Sequence, residues 1–254
     1  MAPAQDRKRV VKAPPLPVRP AFRREFLDFE RGIRMGGLEP HERITQIVKH
    51  ALVARHRRDF LIDKWGRGRY WQWICWLLRE HRDAKPLSSG YNFGCAKFFI
   101  SLRGDPRALQ AGVQLERAGV RRGRGAAGEV FLQDDWDWHR LLAGLRKGTP
   151  LAAELERLVA REGFRVHLGG GAGERTFRGR RWGGVAALRP VLRRVPDDDW
   201  AWFQVYWPTP ERELAALAGD EIVGSILAVF NELSGAMNLL MGEPYLAAGP
   251  ARGC

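Results

Sequence analysis

The sequence predicts an α+β fold: an antiparallel sheet with helices packed on it, a second, basic β-hairpin, and helices at the C-terminal end. Three patterns carry that reading. Phe98, Ile100 and Leu102 alternate with Lys97, Phe99 and Ser101; after the turn Gly104-Asp105-Pro106, Leu109, Ala111, Val113 and Leu115 alternate with Gln110, Gly112, Gln114 and Glu116. A period of two on both sides of a turn is a hairpin with one apolar and one polar face. Phe164, Val166 and Leu168 repeat that period before a Gly-rich loop and a basic return segment, Arg175 to Trp182. Ile222, Val223, Ile226, Val229, Phe230, Leu233 and Met237 follow instead the 3.6-residue period of a long helix.

Residues 1–24 hold Arg7, Lys8, Arg9, Lys12, Arg19, Arg23 and Arg24 against Asp6, seven cations minus one acid, or +6. Four prolines fall in the run PPLPVRP. Such a segment buries little apolar surface, so a mobile basic tail is expected, with Arg7, Lys8 and Arg9 as candidate phosphate contacts. Residues 25–245 are expected to form one globular domain, with a subdivision near 120–128 as the alternative, and residues 246–254 a flexible C-terminus. Residues 42–62 read as a helix with the apolar stripe Ile44, Ile47, Val48, Ala51 and Leu52. Arg55, His56, Arg57 and Arg58 suit its C-terminal end, where cations meet the helix dipole.

The densest apolar stretch runs through residues 66–118. Tyr70, Trp73, Ile74, Leu77 and His81 lie at helical spacing, with Trp71, Cys75 and Leu78 on a second face. This predicts a helix buried between two layers and ended by Pro86. The 97–116 hairpin follows. Its polar face is either solvated or left for a partner.

Beyond it, Arg121, Arg122 and Arg124, further candidate nucleic-acid contacts, sit in the Gly-rich segment RRGRGAAG, and Glu129 to Gln133 reads as a third strand. Asp134, Asp135 and Asp137 surround the start of a helix that buries Trp138, Leu141, Leu142 and Leu145. Carboxylates suit that end of the helix dipole. Gly148-Thr149-Pro150 is a turn with an N-cap threonine and a first-turn proline. The next helix buries Leu151, Leu155, Leu158 and Val159 and ends at Gly163. Helix, turn, helix, hairpin is the order of a winged helix-turn-helix. Against that assignment, the would-be recognition helix carries Glu154, Glu156 and Glu162 against Arg157 and Arg161, and phosphates repel a net acidic helix.

From Arg175 to Arg194 there are seven arginines and no acid, and Val185, Leu188, Val191 and Leu192 mark a short helix. Arg175, Arg178, Arg180 and Arg181 are the candidate nucleic-acid contacts of the hairpin. If the segment is a strand, Arg178 and Arg180 share a face. Trp200 to Trp207 reads as a buried aromatic strand, and Thr209-Pro210 as a helix start. Residues 195–254 carry nine acids against Arg212 and Arg252, or −7.

The net charge of the whole chain is +13. Such an excess points to an anionic partner: nucleic acid, an acidic protein or a membrane surface. Three cysteines without CxxC spacing argue against a structural zinc site or a disulfide scaffold and fit a reducing, cytoplasmic compartment. No secretory signal pattern is present at the N-terminus. Residues 222–241 approach bilayer-spanning length, but Asn231, Glu232 and Asn238 interrupt them, so a buried helix and no membrane association are expected.

Specific chemistry is thinly marked. Cys95 could act as a nucleophile with His81 or His139 if its thiol pKa were lowered. Asp105, Glu116, Asp134 and Asp135 could converge on a nuclease metal. Gly169-Gly170-Gly171 follows a strand without opening a helix and so fits no nucleotide-binding motif. The aromatic strands could stack nucleobases, although tryptophans in such patterns more often form core. The expectation is a basic intracellular protein that binds nucleic acid, alone or within a larger complex, without a cofactor and with catalytic residues unassigned. A metal-dependent nuclease or other enzyme is the alternative, as is an interaction module for an acidic protein.

Overall fold

The computed structural model describes residues 19–85, 92, 94–117, 120–121, 130–131, 136–170, 173–196 and 199–247. It has the predicted α+β architecture. The described residues form eleven strands: β1 (Leu27–Asp28), β2 (Gly32–Arg34), β3 (Phe60–Arg67), β4 (Tyr70–Leu78), β5 (Lys97–Gly104), β6 (Arg107–Arg117), β7 (Val120–Arg121), β8 (Val130–Phe131), β9 (Arg165–Gly170), β10 (Arg175–Phe177) and β11 (Ala201–Pro210). Nine of them form one antiparallel sheet, in the order β1-β2-β4-β5-β6-β11-β9-β10 with β3 on β4. β7 and β8 pair separately. The helices are α1 (Ile44–His56), α2 (Arg79–Asp83), α3 (Asp137–Gly144), α4 (Pro150–Glu156), α5 (Val185–Arg193), α6 (Glu211–Leu214) and α7 (Gly219–Met241). A π-helical turn, Arg157–Arg161, continues α4.

The 97–116 hairpin forms as its alternation requires, with Phe98 opposite Val113 and Ile100 opposite Ala111. β11 then inserts between β6 and β9, setting Phe203 opposite both Leu115 and Leu168. These inward residues join one continuous core with the helices. α7 supplies Phe230, which stacks on Phe98 at 4.6 Å and meets Trp76 edge-on at 5.8 Å. α7 is long and apolar enough to cross a bilayer. In this fold Ile222, Ile226, Leu233, Met237 and Leu240 are buried in the core, and Glu232 pairs with Arg157 at 2.5 Å. The start of α7 is fixed by the Glu221 carboxylate, which accepts from Ala218 N at 2.7 Å.

Several local expectations need correction. Residues 70–78 form β4, not a helix. Both faces of this strand are covered: Ile74, Trp76 and Leu78 belong to or face the main core, while Cys75, Leu77 and Trp73 join a second apolar cluster with Cys95, Phe99 and Tyr206. A strand buried on both sides reads as a continuous apolar run and loses its period of two. The helix expected over 42–62 ends at His56, where Arg57 adopts φ 57°, and β3 begins at Phe60. Of the strand expected at Glu129–Gln133, residues 130–131 are described and form β8, which pairs with β7 outside the main sheet, and the rest lies outside the described residues. The return strand after Gly170 is only three residues long. Residues 179–181 instead form a 3-10 turn, so Arg178 and Arg180 do not share a strand face.

Other expectations hold in detail. Thr149 caps α4, its hydroxyl oxygen accepting from Ala152 N at 3.2 Å. α3 and α4 pack together against α7, and β9 belongs to the main sheet, so this helix pair is part of the sheet-covering layer and β9–β10 is not a free wing. Of the segment 1–24, residues 1–18 lie outside the described residues. Phe22 is buried in the core beside Phe26.

Candidate functional site

With the helices gathered on one face, the other face of the sheet presents the polar residues of the alternating strands. A cleft of about 730 Å³ opens there. Its walls come from β3 (Asp63, Lys64, Trp65), β4 (Gln72, Trp73), β5 (Lys97, Ser101, Leu102, Arg103), β6 (Gln110, Gln114, Glu116), β9 (His167), Glu174 in the β9–β10 turn, Trp200, and β11 (Trp202, Gln204). The register explains the convergence. Lys97 lies opposite Gln114, Gln114 opposite Gln204, and Gln204 opposite His167, so one row of side chains crosses four strands on one face. Gln72 arrives differently. The β3–β4 register shifts between Trp65 and Gly66, and such a bulge re-aims a side chain.

The amides in the cleft are held. Gln114 Oε1 accepts from Trp73 Nε1 at 2.9 Å and from Gln204 Nε2 at 2.7 Å. Gln110 Oε1 accepts from Ser101 Oγ at 3.1 Å, and Gln72 Nε2 donates to Arg31 O at 3.0 Å. With their oxygens so engaged, Gln110 and Gln114 have side-chain N–H groups with no hydrogen-bond partner among the described residues.

The floor holds a buried ion pair. Lys97 Nζ donates to Glu116 Oε2 and to Asn92 O at 3.1 Å, and stands 5.4 Å from the Trp73 ring centroid. Burial disfavours the charge on Lys97, but the Glu116 carboxylate outweighs it and holds the ammonium pKa above its ordinary value. At the rim, His167 Nε2 lies 3.3 Å from Glu174 Oε2; burial lowers the imidazole pKa, opposed by that carboxylate. The tryptophans shape the walls. Trp65 is 68% exposed and Trp200 42%, the two most exposed large apolar side chains among the described residues. Trp202 lies directly over Gly169, where an added Cβ would stand 2.0 Å from the indole ring. The expectation of a uniformly buried aromatic strand at 200–207 is therefore corrected: Phe203, Val205 and Tyr206 are buried, whereas Trp200 and Trp207 are exposed.

The arginines singled out in the sequence lie elsewhere. Arg7, Lys8, Arg9, Arg122 and Arg124 are outside the described residues, and Arg121 is placed only as the backbone of β7. Arg175 pairs in register with Leu168, a core-facing residue, so it projects to the helical side, where it lines a small pocket with Arg194. Arg178, Arg180 and Arg181 are exposed on the turn that follows. That turn is anchored by Trp182, buried, whose Nε1 donates to Glu156 Oε2 at 2.5 Å. α5 adds Arg189 and Arg193. The pKa of Arg189 is lowered by desolvation and then by the neighbouring charges of Arg193 and Arg146, and its Nε is buried without a hydrogen-bond partner among the described residues. None of these arginines forms an ion pair among the described residues. The single described acid of the 197–199 run, Asp199, accepts from Trp200 N instead. This basic edge and the cleft meet at the β9–β10 turn: Gly169, Gly173 and Arg175 line the arginine pocket, and His167 and Glu174 the cleft.

The other candidates separate. Asp105 in the β5–β6 turn and Glu116 near the far end of β6 sit at opposite ends of an eleven-residue strand and do not converge. Asp134 and Asp135 lie outside the described residues, and no three His, Cys, Asp or Glu side chains cluster as metal ligands among those described. Burial pushes the Cys95 thiol up to about 12, the reverse of activation. His81 is committed to the Asp137 carboxylate at 2.8 Å. No protein-family model matches the chain, no curated protein matches it, and no solved structure matches it.

Proposed function

We propose that this protein binds nucleic acid through the arginine edge formed by β10, the 178–181 turn and α5. The observation that carries the reading is the crowding of Arg175, Arg178, Arg180, Arg181, Arg189, Arg193 and Arg194 on one border of the fold without an acidic partner among the described residues. Unneutralised guanidinium groups repel one another, and a polyanion relieves that repulsion while releasing its condensed counterions. Guanidinium forks also match phosphate oxygens geometrically. The Trp182–Glu156 anchor presents the turn without further ordering, which lowers the entropic cost of binding. The basic tail, with Arg7, Lys8 and Arg9, would add contacts to the same polyanion.

The test is a salt titration with a labelled oligonucleotide. Each lost phosphate contact should lower the slope of log affinity against log salt by roughly 0.7 for a single strand. Arg178→Ala combined with Arg180→Ala should therefore weaken binding at low salt, flatten the slope by about 1.4, and leave the melting temperature in place. A wild-type protein without affinity at low salt overturns the proposal. A double variant that loses stability and keeps its affinity assigns these arginines to the fold instead.

A further inference from the structure

We infer that the cleft on the open sheet face is a nucleobase site, making the protein a reader of unpaired bases. This rests on the nucleic-acid reading for the polymer, but the argument for the cleft is independent of the arginines.

Charge comes first. The cleft is lined by Asp63, Glu116 and Glu174 against Lys64, Lys97 and Arg103, three acids against three bases, and Lys97 with Glu116 neutralise each other at the floor. A phosphate gains little in a balanced site, whereas a neutral polar ligand loses little. The walls narrow the class further. Trp65 and Trp73 are opposed across β3 and β4, and Trp202 lies flat against Gly169 on the far side. Leaving Trp65 68% exposed on a folded surface keeps a broad aromatic face in water, and an aromatic ligand covers it by stacking. The polar groups complete the pattern. Gln114 has its oxygen fixed by two donors and its amide nitrogen without a partner among the described residues, and Gln110, four residues away on the same face, has its oxygen held by Ser101 Oγ and its amide nitrogen likewise without one. Donors held in place beside aromatic faces suit a planar heterocycle with acceptor atoms on its edge. The cavity volume, about 730 Å³, lies within the range for small-molecule pockets and accommodates a nucleoside.

The polymer connection follows from position. The cleft rim at His167 and Glu174 adjoins Arg175 through the β9–β10 turn. A strand whose phosphates lie on the arginine edge can therefore turn a base over that rim into the cleft. Duplex bases, stacked and paired, cannot enter.

The test uses the full chain with selectively 15N-labelled tryptophan, titrated with each of four free ribonucleosides, and in parallel with three labelled polymers: a single strand, the matching duplex and an abasic chain of equal length. The expected result is saturable shifts of the indole signals of Trp65, Trp73 and Trp202, assigned by single Trp→Phe variants. Single-strand affinity should exceed that of duplex and abasic chain. Trp65→Ala and Gln114→Leu should each lower single-strand affinity about tenfold without changing the salt slope, and Trp65→Phe should restore most of the loss. Because Trp65 is exposed, Trp65→Ala leaves the core untouched. Nucleoside shifts that vanish in Trp65→Ala support the cleft even if no polymer binds, an outcome that sinks only the arginine proposal. Absence of nucleoside shifts, or equal affinity for abasic chain and single strand, overturns the nucleobase site even if the arginines hold the polymer.

Discussion

Lys97 Nζ meets the Glu116 carboxylate beneath the cleft, with the lysine 1% exposed. Lys97 lies opposite Gln114 in the register, so Glu116, two residues further along the same face, reaches it diagonally across the β5–β6 pair. The pair thus holds two central strands together on the face opposite the described helices.

Removing one partner leaves the other charged and buried. Lys97→Met is expected to destabilise by about 3–5 kcal/mol, and adding Glu116→Leu to recover much of that loss, since an apolar pair of similar volume often replaces a buried ion pair without cost. Denaturant unfolding of the two single variants and the double variant measures the coupling; additive losses would show the two residues to be independent.

Acid sensitivity should begin above the carboxylate range because of His56. Ala247 N donates to His56 Nδ1 at 3.1 Å, and His56 Nε2 is buried without a partner among the described residues. Burial, and then the charge of Arg55, lower the imidazole pKa to about 4. The unfolded chain, with an ordinary imidazole, takes up the proton first. Stability is therefore full above pH of about 6.5 and declines as pH falls toward 4, by roughly 1–3 kcal/mol. Melts at pH 7 and pH 5 should differ for the wild type and differ less for His56→Gln. An unchanged pH dependence in the variant would place the sensitivity elsewhere.

Gly112 lets β11 approach β6. A Cβ there would stand 2.2 Å from Val205 O and 2.7 Å from Tyr206 Cβ. Backbone atoms in a central strand cannot move aside cheaply, so Gly112→Ala is expected to cost on the order of 1–3 kcal/mol. A melt equal to wild type would mean that the strand pair relaxes freely at this point.

What the sequence conveyed depended on how its segments are solvated. β5 and β6 keep their period of two because one face meets the core and the other carries Lys97, Ser101, Gln110 and Gln114. α7 keeps its helical period because a single stripe faces the sheet. β4 was illegible for the opposite reason. Trp73, Cys75 and Leu77 are covered on one side and Ile74, Trp76 and Leu78 on the other, so the unbroken apolar run Trp73–Leu78 fits a buried helix as well as a strand. The cleft was only half visible. The alternation showed that Gln110 and Gln114 share a face, but the insertion of β11 between β6 and β9, which brings in Gln204, Trp202 and His167, is a long-range pairing with no local signal. The arginines after Gly170 were evident as charge, while their side of the sheet was set by the register of Arg175 with Leu168 and by the turn after Phe177.

Asp137 is expected to be the most sensitive single acid in the fold. Its carboxylate is wholly buried and accepts from His81 Nε2 at 2.8 Å, Lys85 Nζ at 2.7 Å, Ala96 N at 2.7 Å and Arg140 at 3.0 Å. It therefore ties the end of β4, through α2, to the start of β5 and to the first turn of α3. Burial alone would raise its pKa, but His81 and then Lys85 overcome that and hold the carboxyl below its usual value. A depressed native pKa means that the unfolded chain is protonated first, so this stabilisation is present above pH of about 4 and is lost as pH falls through the native value. That window lies below the one assigned to His56, and the two should appear as separate stages of an acid titration. Asp137→Asn keeps the shape but turns one acceptor into an N–H₂ facing the His81 and Lys85 donors and removes the buried negative charge that they meet. A loss of about 3–5 kcal/mol is expected, with a diminished lower acid stage. Retention of wild-type stability by Asp137→Asn would show that this buried cluster contributes shape rather than charge.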